Sequence, residues 1–324
     1  MAERLNATFF TLRKRDRAVL LPATLVMAAL VALIAAAFLA INWGFFSQLL
    51  EMIRQGRTEP LSDAESVFFV SGVFMLFSST ILLLFPFYLV LAAYEAACLR
   101  WMIRGETPGL FGLTIDNDTW RVYGVYWCWV LLQYAIGMVA GVVMVPLMFM
   151  TMGAIIADPT PDPMEMLRWQ LSVQLPLTLL QYVPLTFFGV RFAPAAATSV
   201  ARRRFSFFDA WTVTKGRFWE LFGSFAVLWL IAGAAFIVVL GTFYGVLFGQ
   251  LIAALFADWP NAHAEGVEAA MERLFSPAVI PFVIAGYAAY FAICIGYMLM
   301  SYGVNTRAAL AALEDGRISP APAD

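Results

Sequence analysis

The sequence predicts an all-α, polytopic membrane bundle of six transmembrane helices, and three observations carry that prediction. Hydrophobic residues make up 62% of the 324-residue chain and charged residues 13%, with a mean hydropathy of +0.80; a soluble domain carries roughly 45–50% and about 25%. Six apolar stretches each reach the roughly 20 residues of helix that a hydrocarbon core about 30 Å thick requires. These stretches are continuous and do not alternate with period two, which excludes a β-barrel and leaves each span to satisfy its backbone hydrogen bonds as a helix. The same composition excludes an intrinsically disordered chain, a nucleic-acid-binding domain and a disulfide-stapled secreted domain.

Taken in order, the first span is expected over 19–41, after the basic run "RKRDR". Its apolar run Ala18–Ile41 is 24 residues, longer than the ~7–15-residue core of a signal peptide, so it reads as an uncleaved anchor. "NWG" at 42–44 predicts a break, and the following "FFSQLLEMIRQG" spaces its apolar residues for one face of a helix lying on the outer surface. The remaining spans are expected over 67–94, 122–156, 171–190, 218–257 and 277–304. Spans one, three and five belong to longer apolar stretches than two, four and six, so the odd ones are expected to tilt, break or project. Pro86, Pro146, Pro176 and Pro184 fall inside spans and favour kinks. Gly137-x-x-x-Gly141, with Gly241, Gly245 and Gly249, allows close helix approach within the chain or between two copies. The whole chain reads as a single transmembrane domain with no soluble domain.

Orientation follows from the basic residues. On one side lie the N-terminal Arg4, Arg13, Lys14, Arg15 and Arg17, then Arg100, Arg104 and Arg121 after span two, then Arg191, Arg202, Arg203, Arg204, Lys215 and Arg217 after span four, and Arg307 and Arg317 in the tail. Only Arg54, Arg57, Arg168 and Arg273 fall on the other. The positive-inside rule therefore places both termini in the cytoplasm, and an even number of spans agrees. The preference for arginine over lysine and the abundance of alanine fit a GC-rich bacterial genome, so the expected location is a bacterial inner (plasma) membrane.

Catalytic machinery is sparse. Cys98, Cys128 and Cys294 lie in or beside apolar runs with no C-x-x-C pair and read as small buried hydrophobes. The one histidine, His263, offers no zinc motif or triad, and no cofactor or metal is expected. Glu95, Asp116, Asp118 and Asp209 are the only acids an intramembrane lipid enzyme would have to use. A Glu95 pair with Arg191 or Arg100 is the expected polar contact at the membrane edge, while Gln133, Gln174 and Gln181 would line an internal cavity or bond between helices.

The most informative stretch follows span four: "VRFAPAAATSVARRRFSFFDAWTVTKGRFWELFG". Ser206 is expected to cap a short helix and Gly216 to allow a bend. Trp211, Phe218 and Trp219, like Trp120 in the preceding cytoplasmic loop, belong at headgroup level. Arg191, Arg202, Arg203, Arg204, Lys215 and Arg217 would then face anionic lipid headgroups. A shift of 99 places Ala96, Ala97, Arg104 and Trp120 on Ala195, Ala196, Arg203 and Trp219, and a shift of 212 places Ala96 and Ala97 on Ala308 and Ala309 of the tail. Such self-similarity implies three helical hairpins, each ending in a similar elbow.

"DAWTVTKGRFWELFG", preceded by an Arg-Phe-x-Pro span end, resembles the elbow of the bacterial glycerophosphoryl diester phosphodiesterase membrane-domain family and of YciC-like integral membrane proteins. The resemblance covers 191–225. It implies an inner-membrane protein with a link to envelope lipids; the soluble phosphodiesterase domain of that family has no counterpart here, and its activity does not carry over. The function expected is a non-enzymatic protein that binds or organises membrane lipids, or a membrane partner such as a second copy of itself, through its basic face. The alternative is a small transporter or exporter of an amphiphile.

Overall fold

The structure, a computed structural model, describes residues 7–13, 17–54, 62–106, 112–157, 164, 168, 175–256 and 279–319. Its regular elements are helical: α1 (Phe10–Arg13), α2 (Leu21–Ile41), α3 (Trp43–Arg54), α4 (Asp63–Arg104), α5 (Asn117–Ala157), α6 (Leu175–Phe192), α7 (Ala195–Ala201), α8 (Asp209–Thr214), α9 (Phe218–Phe256) and α10 (Ile280–Glu314). Six segments are long and apolar enough to cross a bilayer: Ala18–Ile41, Ser66–Arg104, Asn117–Val142, Thr178–Ala201, Phe218–Gly245 and Ile280–Glu314. The chain is a multi-pass membrane protein.

The break after the first span falls where the sequence puts it. Asn42 ends α2, and its buried side chain donates to Phe38 O (2.8 Å) and to Ser79 Oγ of α4 (2.9 Å). An amide at this position satisfies the end of one helix and fastens it to the next. Helix length does not follow apolar length: among the described residues α4 spans 42 residues and α10 spans 35. Both continue past the apolar stretch because loss of hydrophobicity does not end a backbone ladder. Their extensions, "EAACLRWMIR" and "NTRAALAALE", are rich in alanine, leucine, arginine and glutamate, which are strong helix formers.

The chain divides into two compact units, Met1–Lys14 with Gly216–Ala308 and Arg15–Lys215 with Ala309–Asp324. In the first, α9 and α10 run side by side through Phe243 stacked on Phe282 (5.4 Å) and Phe236 against Tyr290 (5.3 Å). α1 crosses α10 where Thr11 Oγ1 donates to Leu299 O (2.9 Å), beside Gly303, whose missing side chain leaves room for Thr11.

In the second unit, α2, α4 and α5 pack together, and Thr24 of α2 shares a hydrogen bond with Tyr94 of α4 (2.9 Å). Burial is concentrated at one end. Residues 92–102 of α4 are buried all round, whereas most of its earlier turns present apolar side chains outward. The short α7, "AAATSVA", fits against α4 and α5. Ala92, Ala93, Ala96 and Ala97 on one helix and Ala195, Ala196 and Ala197 on the other are all buried, and side chains this small let backbones approach closely. The expected glycines make no close approach within the chain: among the described residues a Cβ at Gly137, Gly141, Gly241, Gly245 or Gly249 would meet nothing within 4 Å. Of the span prolines, Pro86, Pro146 and Pro184 lie inside helices, whereas Pro176 is the second residue of α6. Cys98 is buried as expected; Cys128 and Cys294 are only half-buried.

Candidate functional site

Three helix ends share one device. α4 closes on Gly105 (φ 71), α7 on Arg203 (φ 49) and α10 on Gly316 (φ 67). A left-handed residue here turns the chain out of the helix while its neighbours satisfy the last carbonyls. At α7, Arg203 N donates to Val200 O (3.3 Å) and Arg204 N to Ser199 O (3.2 Å); at α10, Gly316 N donates to Leu313 O (3.1 Å) and Arg317 N to Ala312 O (2.9 Å). These are the same Schellman closure. α4 uses the simpler form, Gly105 N to Trp101 O (3.1 Å), and its turn falls one residue out of register with the other two under the sequence shifts. The remaining left-handed residues among those described, Gly112 and Gly216, precede α5 and α9 in the same elbows, and Gly216 makes the bend expected of it.

Within the second unit the three elbows touch one another. Arg104 Nη1 reaches Val200 O (3.4 Å), Arg202 Nε donates to Ser319 O (3.1 Å) and its Nη2 to Ser319 Oγ (2.9 Å), and Arg317 Nη1 donates to Lys215 O (2.6 Å). The loops after spans two and four and the tail therefore meet at one end of this unit, as a common side of the membrane requires.

The arginines here fall into an inner and an outer set. Arg100, only 2% exposed, pairs with Asp116 and donates to Thr114 Oγ1 (2.9 Å). Asp116 also caps α5, accepting from Thr119 N (3.0 Å). Arg104 binds Asp118 (2.5 Å) and Glu106 (2.9 Å), and Arg121 takes the other oxygen of Asp118 (2.6 Å). Arg202 is buried against Asp209 and Ser319. Leaving a buried guanidinium such as that of Arg100 or Arg202 without its carboxylate costs about 3–5 kcal/mol, whereas an exposed pair contributes about 0–1 kcal/mol. The inner set accordingly holds the elbows together. The outer set is exposed: Arg203 stands 3.9 Å from Glu106 and Arg204 3.6 Å from Asp209, each acid already held more closely by an inner arginine. Lys215 is exposed at the end of α8, and its ammonium forms no ion pair among the described residues.

Exposed aromatic rings lie among these outer cations. Phe205 is 50% exposed and packs over Gly124 of α5, where a Cβ would sit 3.2 Å from its ring; Phe208 is 75% exposed and Trp211 partly so. Behind them Phe192 stacks on Phe207 (4.7 Å) and Arg191 lies over Trp211 (4.9 Å) and Phe187 (5.5 Å).

Several expectations are corrected. Arg202 does not face outward, because Asp209 and Ser319 enclose it. The Glu95–Arg191 pair does not form: Glu95 is buried and accepts from Tyr126, while Arg191 turns to α8, donating to Thr214 O (3.2 Å) as Thr214 Oγ1 donates back to Arg191 O (3.3 Å). Nor does Glu95 meet Arg100, since residues five apart do not share a helix face. Ser206 does not cap α8; Phe208 precedes that helix, and Ser206 N instead donates to Ser199 Oγ (3.0 Å). Gln133 is exposed on α5 and lines no interior; Gln181 is half-buried, and Gln174 and His263 lie outside the described residues. Arg217, Phe218 and Trp219 belong to the other unit, where Trp219 is 76% exposed; Trp120 is exposed against Tyr123 (5.6 Å).

Asp116, Thr114, Tyr126 and Ser319 were missed as partners. Only Asp116 carries a sequence signal, "DNDT" just before an apolar run, the pattern of a helix start. No set of three or more His, Cys, Asp or Glu side chains among the described residues is placed to hold a metal. No family model, curated protein or solved structure matches this chain.

Proposed function

We propose that this multi-pass membrane protein binds anionic lipid headgroups through the elbow face, acting as a binding or organising protein and not as an enzyme. The observation that carries the reading is the separation of the two cation sets: the inner arginines, Arg100 and Arg202 among them buried, are held by close carboxylate partners, while Arg203, Arg204 and Lys215 stand exposed beside Phe205, Phe208 and Trp211. Guanidinium and ammonium groups interleaved with exposed rings match the membrane interface, where rings sit at headgroup depth and each basic residue contributes about 1 kcal/mol against an anionic leaflet. The basic bias of these segments supports a cytoplasmic face, and the arginine and alanine usage supports a bacterial inner membrane. The resemblance of 191–225 to the elbow of the glycerophosphoryl diester phosphodiesterase membrane-domain family and YciC-like proteins supports a link to envelope lipids.

The test is the lipid retained by the full chain after mild detergent extraction. Wild type is expected to retain anionic over zwitterionic lipid, and the triple variant Arg203→Gln, Arg204→Gln, Lys215→Gln to lose that enrichment while keeping its helical content. Equal enrichment in both would refute the proposal.

A further inference from the structure

We infer that Arg202 is a phosphate-binding fork, and that the tail after α10 is a strap whose Ser319 fills that fork until an anionic headgroup takes its place. The inference rests on the lipid-binding reading and deepens it, naming a covered site, the chemistry of its ligand and the segment that covers it.

The guanidinium sets the geometry. Arg202 is 5% exposed and its donors divide between two partners. Nη1 pairs with Asp209. Nε donates to Ser319 O (3.1 Å) and Nη2 to Ser319 Oγ (2.9 Å). Nε and Nη2 make up the edge of a guanidinium that takes two oxygens of a phosphate side by side. Here one serine supplies both oxygens, and both are neutral. Two anionic oxygens on the same edge add a charge attraction that Ser319 lacks, so Ser319 is the weaker occupant.

The strap is thin. Gly316 (φ 67) turns the chain out of α10, Arg317 Nη1 donates to Lys215 O (2.6 Å), Ile318 is buried, and Ser319 is itself exposed. The fork therefore lies one residue beneath the surface of the elbow face. The acid that balances it is shared, since exposed Arg204 stands 3.6 Å from the same oxygen of Asp209. A phosphate arriving there meets two arginines against one carboxylate. Exposed Phe208, next to Asp209 in the chain, offers the apolar contact that a lipid uses and a soluble ion does not. While Ser319 holds the edge, only the fraction of molecules with the strap lifted can bind, and the apparent affinity falls by that fraction.

The experiment uses the full chain in nanodiscs of phosphatidylglycerol or phosphatidylcholine, with tryptic cleavage of the Arg317–Ile318 bond as the readout of the strap, since seating buries Ile318. Lipid binding is read in parallel by native mass spectrometry in zwitterionic detergent. Wild type is expected to be cut about fivefold faster in phosphatidylglycerol. Arg202→Gln, which lacks the fork, is expected to be cut at one rate in both lipids, and its ratio is the reference for any effect of lipid on the protease. Ser319→Ala removes one charged hydrogen bond from the strap alone and is expected to bind phosphatidylglycerol about tenfold more tightly, a gain absent when Arg202→Gln is added. A merely structural contact would lose stability without gaining lipid. Wild-type cleavage that ignores the lipid, Ser319→Ala binding equal to wild type, or a gain that survives Arg202→Gln overturns the fork and strap while lipid binding stands. If wild type prefers phosphatidylglycerol no more than phosphatidylcholine in the mass spectra, the lipid-binding reading itself fails. Inorganic phosphate that speeds cleavage as much as phosphatidylglycerol overturns the lipid headgroup as the source.

Discussion

Asp116 shows how much one side chain holds. It neutralises Arg100, one of the most deeply buried charges in the chain, and caps α5 through Thr119 N. Asp116→Ala should cost about 3–5 kcal/mol from the uncompensated guanidinium and about 1 kcal/mol more from the lost cap. Asp116→Asn keeps the cap acceptor and should be the milder of the two; chemical unfolding of the purified protein in detergent measures both. Glu95 is a smaller case of the same logic. It accepts a hydrogen bond from the Tyr126 hydroxyl, so Tyr126→Phe should lose about 1–3 kcal/mol by leaving a buried acceptor unsatisfied, and Glu95→Gln in the same background should recover part of it. Sequence reasoning found Glu95, Arg100 and Arg191 as the groups of interest but paired them wrongly. Proximity along a chain says that two charges sit at a similar depth; their angular positions on the helix, and the loop acids that rise to meet them, decide the partners. Arg202 fails in the same way, since nothing local distinguishes it from Arg203 and Arg204 until Ser319, from the far end of the chain, is placed against it.

At the level of elements, the six spans were legible because each is a continuous apolar run, and the break at Asn42 because a polar residue and a glycine interrupt one. Helix ends were not, since alanine-rich extensions carry α4 and α10 well past the apolar boundary. The elbow similarity was visible as a faint repeat of alanines and arginines; the structure gives it a physical basis in three left-handed closures after buried alanine-rich helix ends. Those closures make a matched pair of expectations. Gly105→Ala and Gly316→Ala should each destabilise by about 1 kcal/mol through the left-handed penalty. Parallel thermal unfolding of the two variants reads the sign directly. A third element-scale expectation concerns α7, whose buried alanines set its approach to α4 and α5: Ala196→Leu overfills that contact and should cost about 1–3 kcal/mol.

For the whole molecule, a net charge of −2 conceals the sorting that matters. The cations that gather at the elbows divide again by depth, into a set that holds three chain segments together and a set left at the surface among aromatic rings. Because the outer cations are exposed, their preference for anionic lipid should weaken steadily as salt rises, whereas the close pairs of the buried Arg100 and Arg202 should be less affected; lipid retention and unfolding temperature followed over the same salt series separate the two. The most direct measurement of the central claim is photocrosslinking from a benzoylphenylalanine placed at Phe208, with the full chain in liposomes of equal phosphatidylglycerol and phosphatidylcholine and a second probe at Val139 on the outward face of α5 as reference. The account predicts that position 208 captures phosphatidylglycerol in clear excess while position 139 captures the two lipids in proportion to the bilayer. Capture at position 208 that follows the bulk composition would contradict it.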